Sequence, residues 1–258
     1  MLFVLSPAKS LDYDTPAPFK TATTPQFIPR SVELIATLKT KSVADIAELM
    51  DLSESLATLN VDRYAAWSPK FTAKNSKAAV FAFNGDVYDG LAARTLSEAD
   101  LAWAQQHVAI LSGLYGVLRP FDKLQPYRLE MGTPLATARG RNLYDYWGDT
   151  IAEHLNAQVA ADRTPVIVNL ASQEYFRAAD RQALKPRVID CVFEDWKGGR
   201  YKVISFFAKK ARGLMARHAI QKRIATPKRL EGFDLDGYAF APDVSEPDRL
   251  VFRRRVAG

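Results

Sequence analysis

The sequence has one cysteine, three scattered histidines and no long apolar run, and each of these absences excludes a class of protein. With Cys191 alone, no internal disulfide can form. His107, His154 and His218 lie far apart and no C-x-x-C or H-x-H pair occurs, so we expect no metal site and no cofactor. The apolar start, residues 1–5, is too short for a signal peptide or a membrane span. We therefore expect a cytoplasmic protein with no membrane partner.

The glycine-rich motifs of the common nucleotide and acyl-transfer enzymes are also missing. The sequence contains no G-x-G-x-x-G, no P-loop and no G-x-S-x-G elbow. Cys191 lies within an apolar run, which favours a core residue over a nucleophile. No catalytic motif is recognisable, so the residues alone do not define a reaction.

Positive charge is abundant, and it is concentrated near the end of the chain. The 258 residues carry a net charge of +6. Residues 197–258 contain 15 Lys and Arg against 6 Asp and Glu, a net +9, whereas residues 1–196 carry a net −3. Such asymmetry indicates an anionic partner for the last quarter, such as nucleic acid or phosphate. A solvated basic surface is the alternative.

Six short apolar runs predict buried strands, and a seventh predicts an edge strand. The six are residues 2–5, 79–83, 108–111, 166–170, 188–193 and 203–208, and the seventh is 250–252. Gly198 and Gly199 stand between two of these runs and predict an antiparallel hairpin. Helical patterns separate the others, which favours parallel pairing. The fold class is therefore α/β, with a mixed β-sheet flanked by helices.

Helical periodicity is clearest in two segments. Apolar residues recur every four positions over residues 143–159, as on one face of a helix. Residues 31–67 are helical throughout, with breaks near Thr40 and Asp51. We expect one compact domain, residues 1–258, with the segment 31–67 inserted as a small helical subdomain.

Several predicted strands run into small, polar or cationic residues. In open α/β sheets, ligands bind outside the carboxyl ends of the strands. The strand ends after Leu5, Leu111, Leu170 and Ala208 are therefore expected to face one cleft. The side chains expected to converge there are Lys9, Arg119, Asn169, Glu174, Lys209 and Arg212. The alternative is that each loop simply leaves the core.

The stretch SFFAKKARGLMARHAIQKR, residues 205–223, holds six cations and no acid. An apolar stripe at helical spacing predicts a helix, and its cations point to more than one side. Cations early in a helix interact unfavourably with the positive end of the helix dipole. A bound anion beside them would offset that cost. Lys209, Lys210 and Arg212 are expected to carry much of the affinity for DNA.

Residues 46–59, IAELMDLSESLATL, resemble a helix-hairpin-helix motif. In such motifs the backbone N–H groups of the hairpin hold a DNA phosphate. Ser53 is placed to cap the second helix, and Asp51 stands where glycine is usual and would repel phosphate. Simple packing of two helices is the alternative.

Long blocks of the sequence resemble the YaaA family of bacterial peroxide-stress proteins over nearly the full chain. The blocks include LSPAKSLDY, FNGDVYDGL, LSGLYGVLRPFDKLQPYRLEMG, NLASQEYF and KKARGLMARHAI. The resemblance implies an uncommon fold, a basic cleft, a helix-hairpin-helix element and binding of DNA, double-stranded or distorted. It also implies a cytoplasmic protein that limits peroxide damage by keeping intracellular iron low.

The residues and the resemblance together give one set of expected sites. The expected nucleic-acid contacts are Lys9, Ser53, Arg119, Arg128, Lys209, Lys210, Arg212 and Arg217, and the expected cleft lining is Ser6, Asp86, Tyr88, Glu130, Asn169, Glu174 and Tyr175. An enzyme acting on a nucleotide or phosphorylated small molecule in the same cleft is the competing interpretation. In that case Arg128, Glu130, Asn169 and Glu174 would be catalytic or binding groups. An iron-buffering protein is a third interpretation, but the chain lacks ligand clusters.

Overall fold

The computed structural model describes residues 1–255 and has a central sheet packed against helices. The strands are β1 (Leu2–Leu5), β2 (Ser10–Leu11), β3 (Lys77–Ala78), β4 (Phe83–Asn84), β5 (Val108–Ser112), β6 (Gly116–Leu118), β7 (Lys123–Leu124), β8 (Val166–Leu170), β9 (Arg187–Lys197), β10 (Arg200–Lys202), β11 (Ala239–Phe240) and β12 (Arg249–Arg254). The α-helices are α1 (Ile28–Leu38), α2 (Val43–Met50), α3 (Glu54–Ala66), α4 (Ala79–Ala82), α5 (Asp86–Leu91), α6 (Glu98–His107), α7 (Leu143–Trp147), α8 (Thr150–Val159), α9 (Gln173–Phe176) and α10 (Ser205–Lys222).

The main sheet is mixed and mostly parallel, as the sequence predicts. Within residues 1–255 it has eight strands, in the order β11-β12-β9-β8-β1-β5-β6, with β10 paired to β9. Strands β12, β9, β8, β1 and β5 are parallel to one another, whereas β6, β10 and β11 are antiparallel to their neighbours. The central strands β1 and β5 are buried along their whole length. Such continuous apolar strands are typical of parallel sheets that are covered on both faces.

Two predicted strands are helical in the structure, and these predictions are wrong. Residues 79–83 form the short helix α4 and only then enter β4. Residues 203–208 are not a strand, because α10 begins at Ser205. In that run Ala208 is buried while Phe206 and Phe207 are exposed, so one helical face packs and the aromatic side chains point outward. A short apolar run alone does not distinguish a buried strand from a helix.

The last strand also differs from its prediction. Residues 250–252 lie within β12, which is paired with β9 on one side and β11 on the other, so it is not an edge strand. The predicted hairpin is confirmed, since β9 and β10 pair antiparallel across Gly198 and Gly199.

The segment predicted as helical is confirmed as three helices, α1, α2 and α3. Helix α2 ends at Asp51, which adopts the left-handed conformation with φ of 50°. Helix α3 begins after Ser53, whose hydroxyl accepts a hydrogen bond from Leu56 N–H over 3.4 Å. A function of the α2–α3 pair as a helix-hairpin-helix element stays a prediction.

Helices α5 and α10 cross with their backbones in direct contact. A Cβ atom added to Gly213 would lie 1.8 Å from the Val87 carbonyl oxygen, and one added to Gly90 would lie 2.1 Å from the Lys210 carbonyl oxygen. Only glycine permits so close an approach. The crossing places the first turn of α5 and the second turn of α10 beside the ends of the central strands.

Candidate functional site

A cleft opens at the carboxyl ends of β1 and β8, where the chain leaves two neighbouring parallel strands. Leu5 and Leu170 are register partners, so the segments that follow them start side by side. The first turn of α5 and the second turn of α10 close the cleft, which encloses about 380 Å³. We call it the β1–β8 cleft. Its lining includes Ser6, Lys9, Asp86, Glu130, Ser172, Glu174, Tyr175, Lys209 and Arg212.

Hydrogen bonds between two serines hold the floor of the cleft. Ser172 N–H donates to Ser6 Oγ over 2.8 Å, and the two hydroxyl oxygens lie 3.4 Å apart. The hydroxyl of Tyr88 donates to the Ser6 carbonyl over 3.1 Å, which ties α5 to the end of β1. Tyr88 is therefore buried behind the cleft. Each serine hydroxyl can both donate and accept, so the floor can bind a polar ligand.

One side of the cleft carries Glu130 between two cations. Its carboxylate lies 2.7 Å from Lys9 Nζ and 3.0 Å from Arg128 Nη2. The Lys9 side chain is 63% exposed at the cleft, whereas that of Arg128 is 16% exposed behind Glu130. Both cations are thus partly neutralised within the protein.

Glu174 contacts the loop that carries this group of charges. Its Oε1 accepts a hydrogen bond from Gly132 N–H over 2.9 Å, which fixes the carboxylate against the 126–132 loop. The adjacent Tyr175 is buried, and burial raises the pKa of its phenol well above the ordinary value. At neutral pH Tyr175 therefore stays protonated.

Arg212 and Lys209 enter the cleft from the start of α10. Neither has a carboxylate within salt-bridge distance among residues 1–255, in contrast to Lys9 and Arg128. Burial lowers the pKa of Arg212, and the charge of Asp190 opposes that shift. A half-buried guanidinium without a bound carboxylate is costly, and an anion beside it would offset that cost.

A second cavity of about 730 Å³ adjoins the cleft and shares Ser172, Glu174, Lys209 and Arg212 with it. Asn169 lines this second cavity and not the β1–β8 cleft. Its amide donates to Asp190 Oδ1 over 2.8 Å and its Oδ1 accepts from Ala171 N–H over 2.9 Å. Cys191 also lines it, and burial raises the pKa of its thiol far above the ordinary value. Cys191 is thus a protonated, buried side chain.

Arg119 lies at the opposite edge of the sheet, which corrects its predicted place in the cleft. It follows β6, and β6 is antiparallel to β5, so its end points away from the cleft. The guanidinium lies 2.9 Å from the buried carboxylate of Asp122. The end of β5 does not open to the cleft either, since the chain beyond Leu111 runs into the buried residues Ser112 and Tyr115.

Arg217 and Lys210 also lie outside the cleft, because each is used within the protein. Arg217 donates to the Leu91 carbonyl over 3.1 Å and to the Thr95 hydroxyl over 2.8 Å, which satisfies the end of α5. Lys210 lies 3.7 Å from Asp236 on another side of α10. The helix therefore presents its cations to three different surroundings.

Ser53 caps α3 in a strongly acidic part of the molecule. Residues 43–66 hold five acids and a single cation, Arg63. The acids are Asp45, Glu48, Asp51, Glu54 and Asp62. A role for Ser53 in holding phosphate stays a prediction, and these charges disfavour it.

The sequence reasoning missed a surface at the tip of the β9–β10 hairpin and the first turn of α10. We call it the hairpin ridge, and it consists of Trp196, Lys197, Arg200, Lys202, Phe206, Phe207 and Lys209. Trp196 is 37% exposed and Phe206 is 58% exposed. The KGGR sequence indicates only a turn, but aromatic residues interleaved with cations on both sides of it are a signal for nucleic-acid binding.

Two further observations concern the described residues 1–255. They contain no helix long and apolar enough to cross a membrane. They also contain no group of three His, Cys, Asp or Glu side chains arranged to hold a metal ion.

Comparison with known proteins assigns the chain to a family. The profile of peroxide stress protein YaaA matches residues 1–244. The chain belongs to this family. Membership supports a role in the response to peroxide stress, which agrees with the resemblance seen in the sequence.

Relatives in the family match along their whole length. A UPF0246 protein of Paracidovorax citrulli is 67% identical over 259 residues, covering all of both chains. UPF0246 proteins of a Polaromonas species and of Variovorax paradoxus are each 64% identical, and they cover at least 99% of both chains. The names of these relatives describe no activity or ligand.

Proposed function

We propose that this chain binds DNA, largely without regard to base sequence, as part of the peroxide-stress response. The observation that carries the proposal is the hairpin ridge. Its four cations, Lys197, Arg200, Lys202 and Lys209, form no salt bridge with any described residue, whereas most other cations near the cleft are paired. Free cations on one surface suit the regularly spaced phosphates of a nucleic acid.

The exposed aromatic side chains of the ridge support binding to bases as well as phosphates. Trp196 packs edge-on against Tyr201 at 5.0 Å, and the Arg255 guanidinium lies over the Trp196 ring at 4.7 Å. Phe206 packs against Phe207 at 5.7 Å and leaves most of its surface open. Aromatic rings stack on bases of any identity, and they reach bases most easily where a duplex is distorted or unpaired.

A largely buried ionic network lies behind the ridge. Arg254 lies 2.7 Å from both Asp195 and Asp236, and Tyr238 donates its hydroxyl to Asp195 over 2.8 Å. The Arg254 guanidinium also lies over the Phe207 ring at 4.7 Å. These contacts join β9, β12 and the start of α10. Side chains alternate along the hairpin, so Lys197, Arg200 and Lys202 share the face on which Phe207 packs, whereas Trp196 lies on the other face.

We place the DNA on the ridge and not within the β1–β8 cleft. A cleft of about 380 Å³ is the size of a small-molecule site and does not admit a duplex. The carboxylates of Asp86, Glu130 and Glu174 would also repel a run of phosphates. The ridge ends at Lys209 on the rim of the cleft, so DNA bound there would cover the opening.

Fluorescence anisotropy with labelled DNA tests this proposal. Wild-type protein should bind two short duplexes of unrelated sequence with similar affinity, and should bind a duplex with unpaired bases more tightly. Phe206→Ala should remove much of that preference, since base stacking contributes about 1–3 kcal/mol per base. Phe19→Ala, which removes a phenylalanine that packs on Phe81 and is not part of the ridge, serves as the control. No binding to any of the three DNAs would refute the proposal.

Two finer expectations belong to the same proposal. A cytoplasmic location follows from the expected DNA partner. The link between this protein and low intracellular iron rests on the family resemblance alone and stays a prediction.

A further inference from the structure

The β1–β8 cleft lies where the direction of chain connections reverses. From β1 the chain goes on to β5 on one side, whereas from β8 it goes on to β9 on the other side. In open α/β sheets, small ligands bind at the crevice that this reversal leaves between two parallel strands. Ser6 and Ser172, the first cleft residues after the two strands, meet at that crevice.

The charges of the cleft are balanced and not simply basic. Lys9, Lys209 and Arg212 face the carboxylates of Asp86, Glu130 and Glu174. Such a mixture suits a small molecule that carries both an anionic group and hydrogen-bond donors. The cations would donate hydrogen bonds to the anionic group, and the carboxylates would accept hydrogen bonds from the donors. It does not suit a polyanion, whose charges would meet carboxylates on the cleft walls.

The charged side chains of the cleft fall into two groups, those paired within the protein and those without a partner. Glu130 already lies between Lys9 and Arg128, so its charge is compensated within the protein. Arg212 and Lys209 lie together without a carboxylate partner among residues 1–255, at the boundary between the cleft and the second cavity. A doubly charged phosphate monoester matches this pair of cations. The two cavities, of about 380 and 730 Å³, leave room beside it for a sugar and a base.

We propose that the β1–β8 cleft binds a nucleoside monophosphate, with its phosphate on Arg212 and Lys209 and its hydroxyl or amino groups on Glu174 and Asp86. This site shares Lys209 with the hairpin ridge, but it does not require bound DNA. Ser6 and Ser172 supply further donors and acceptors at the floor. The proposal concerns binding, and it assigns no bond-breaking step.

Isothermal titration with adenosine and uridine 5′-monophosphates tests the proposal. Wild-type protein should bind at least one of them with a dissociation constant below roughly 1 mM, the upper end of common substrate affinities. Arg212→Gln should weaken that binding at least about tenfold, as expected for loss of a charge-assisted hydrogen bond. Lys210→Gln, on the same helix but directed at Asp236, should leave it unchanged. Circular dichroism checks that each variant is folded.

Three further titrations show which part of the nucleotide the cleft recognises and whether the ridge takes part. The matching nucleoside should bind more weakly than the monophosphate, and inorganic phosphate should bind more weakly than either complete nucleotide. A ridge variant, Lys197→Gln with Arg200→Gln and Lys202→Gln, should lose DNA affinity but keep nucleotide affinity. Absence of nucleotide binding, or binding that folded Arg212→Gln retains in full, would overturn the proposal while leaving the DNA result unaffected. Equal affinity for inorganic phosphate and nucleotide would also overturn it.

Discussion

At Gly213 and Gly90 the backbones of two helices touch, and this contact sets the position of the cleft. Both helices carry cleft residues near their starts, Asp86 in the first turn of α5 and Lys209 and Arg212 in the second turn of α10. Any side chain at either glycine would force the helices apart. These two residues bear no functional group, yet the geometry of the site depends on them.

Gly213→Ala should destabilise the protein. The added methyl would meet the Val87 carbonyl at 1.8 Å, and overpacking of this kind costs about 1–3 kcal/mol. This cost should outweigh the gain of about 1 kcal/mol that alanine brings to a helix interior. Urea unfolding measures the difference in the free energy of unfolding.

Gly232→Ala is the matched control for that measurement. A Cβ atom at Gly232 would have no neighbour within 4 Å, so its effect should stay within about 0.5 kcal/mol. Stability of Gly213→Ala equal to that of wild type would show that the helix crossing is loose.

Single residues of the cleft were predictable where they directly follow a parallel strand. Ser6, Lys9 and Glu174 come soon after β1 or β8, and parallel strands bring their carboxyl ends to the same edge. Arg217 and Lys210 were not predictable in this way. Helical spacing gives their direction around α10, but their partners at Leu91 and Asp236 come from distant parts of the chain.

At the scale of elements, the α2–α3 pair tests whether a helix cap also serves as a DNA contact. Ser53→Ala should lower the free energy of unfolding by about 1 kcal/mol, because it removes the N-cap of α3. DNA affinity should not change, since the acidic surroundings of Ser53 disfavour phosphate. Ser97→Ala, which removes the N-cap of another helix, α6, should lower stability by a similar amount and also leave DNA affinity unchanged.

Fluorescence anisotropy of labelled DNA with variants at Ser53 tests whether the α2–α3 pair contacts DNA. Ser53→Glu should also bind DNA like wild type. A marked loss of affinity in folded Ser53→Glu would show that the α2–α3 pair contacts phosphate and that the interface extends beyond the ridge.

Helices and strands were predicted correctly where hydrophobic periodicity and turn-forming residues indicated the same element. They were predicted wrongly where a short apolar run was the only signal. The three helices of residues 28–66 and the Gly198–Gly199 hairpin follow from such agreement. Residues 203–208 were predicted as a strand because they include Val, Ile and Phe, which are frequent in strands. Burial of Ala208 and Ala211 against the sheet makes them helical, and that packing depends on tertiary contacts.

At the scale of the whole molecule, two histidines should make stability depend on pH. Burial lowers the pKa of both His154 and His218 below the ordinary value of 6.5. The unfolded chain therefore takes up these protons first as the pH falls. The free energy of unfolding should be highest above about pH 6.5 and should decrease as the pH falls below it.

Urea unfolding at pH 7.5 and pH 5.5 measures this dependence. A double variant, His154→Gln with His218→Gln, should show a smaller decrease between the two pH values than wild type, whatever its absolute stability. A double variant with the wild-type decrease would assign the dependence to other groups.

Cations without a carboxylate partner among the described residues occur in several parts of the molecule, such as Lys70, Lys74 and Arg212. Many arginines and lysines are paired or cap helices, as in the Arg187–Asp248, Lys228–Glu231 and Arg139–Glu33 pairs. The hairpin ridge holds four such cations, interleaved in sequence with exposed aromatic residues. Composition alone predicted a basic last quarter, but only the fold shows which of its cations are free.

The salt dependence of DNA affinity tests the central claim most directly. Each phosphate neutralised adds about 0.9 to the magnitude of the slope of log affinity against log salt. The variant Lys197→Gln, Arg200→Gln, Lys202→Gln should therefore lose about 2 to 3 units of slope. A control that removes the same charge from paired cations, Arg139→Gln, Arg187→Gln, Lys228→Gln, should lose less than about one unit. A folded ridge variant that keeps the wild-type slope would contradict the account.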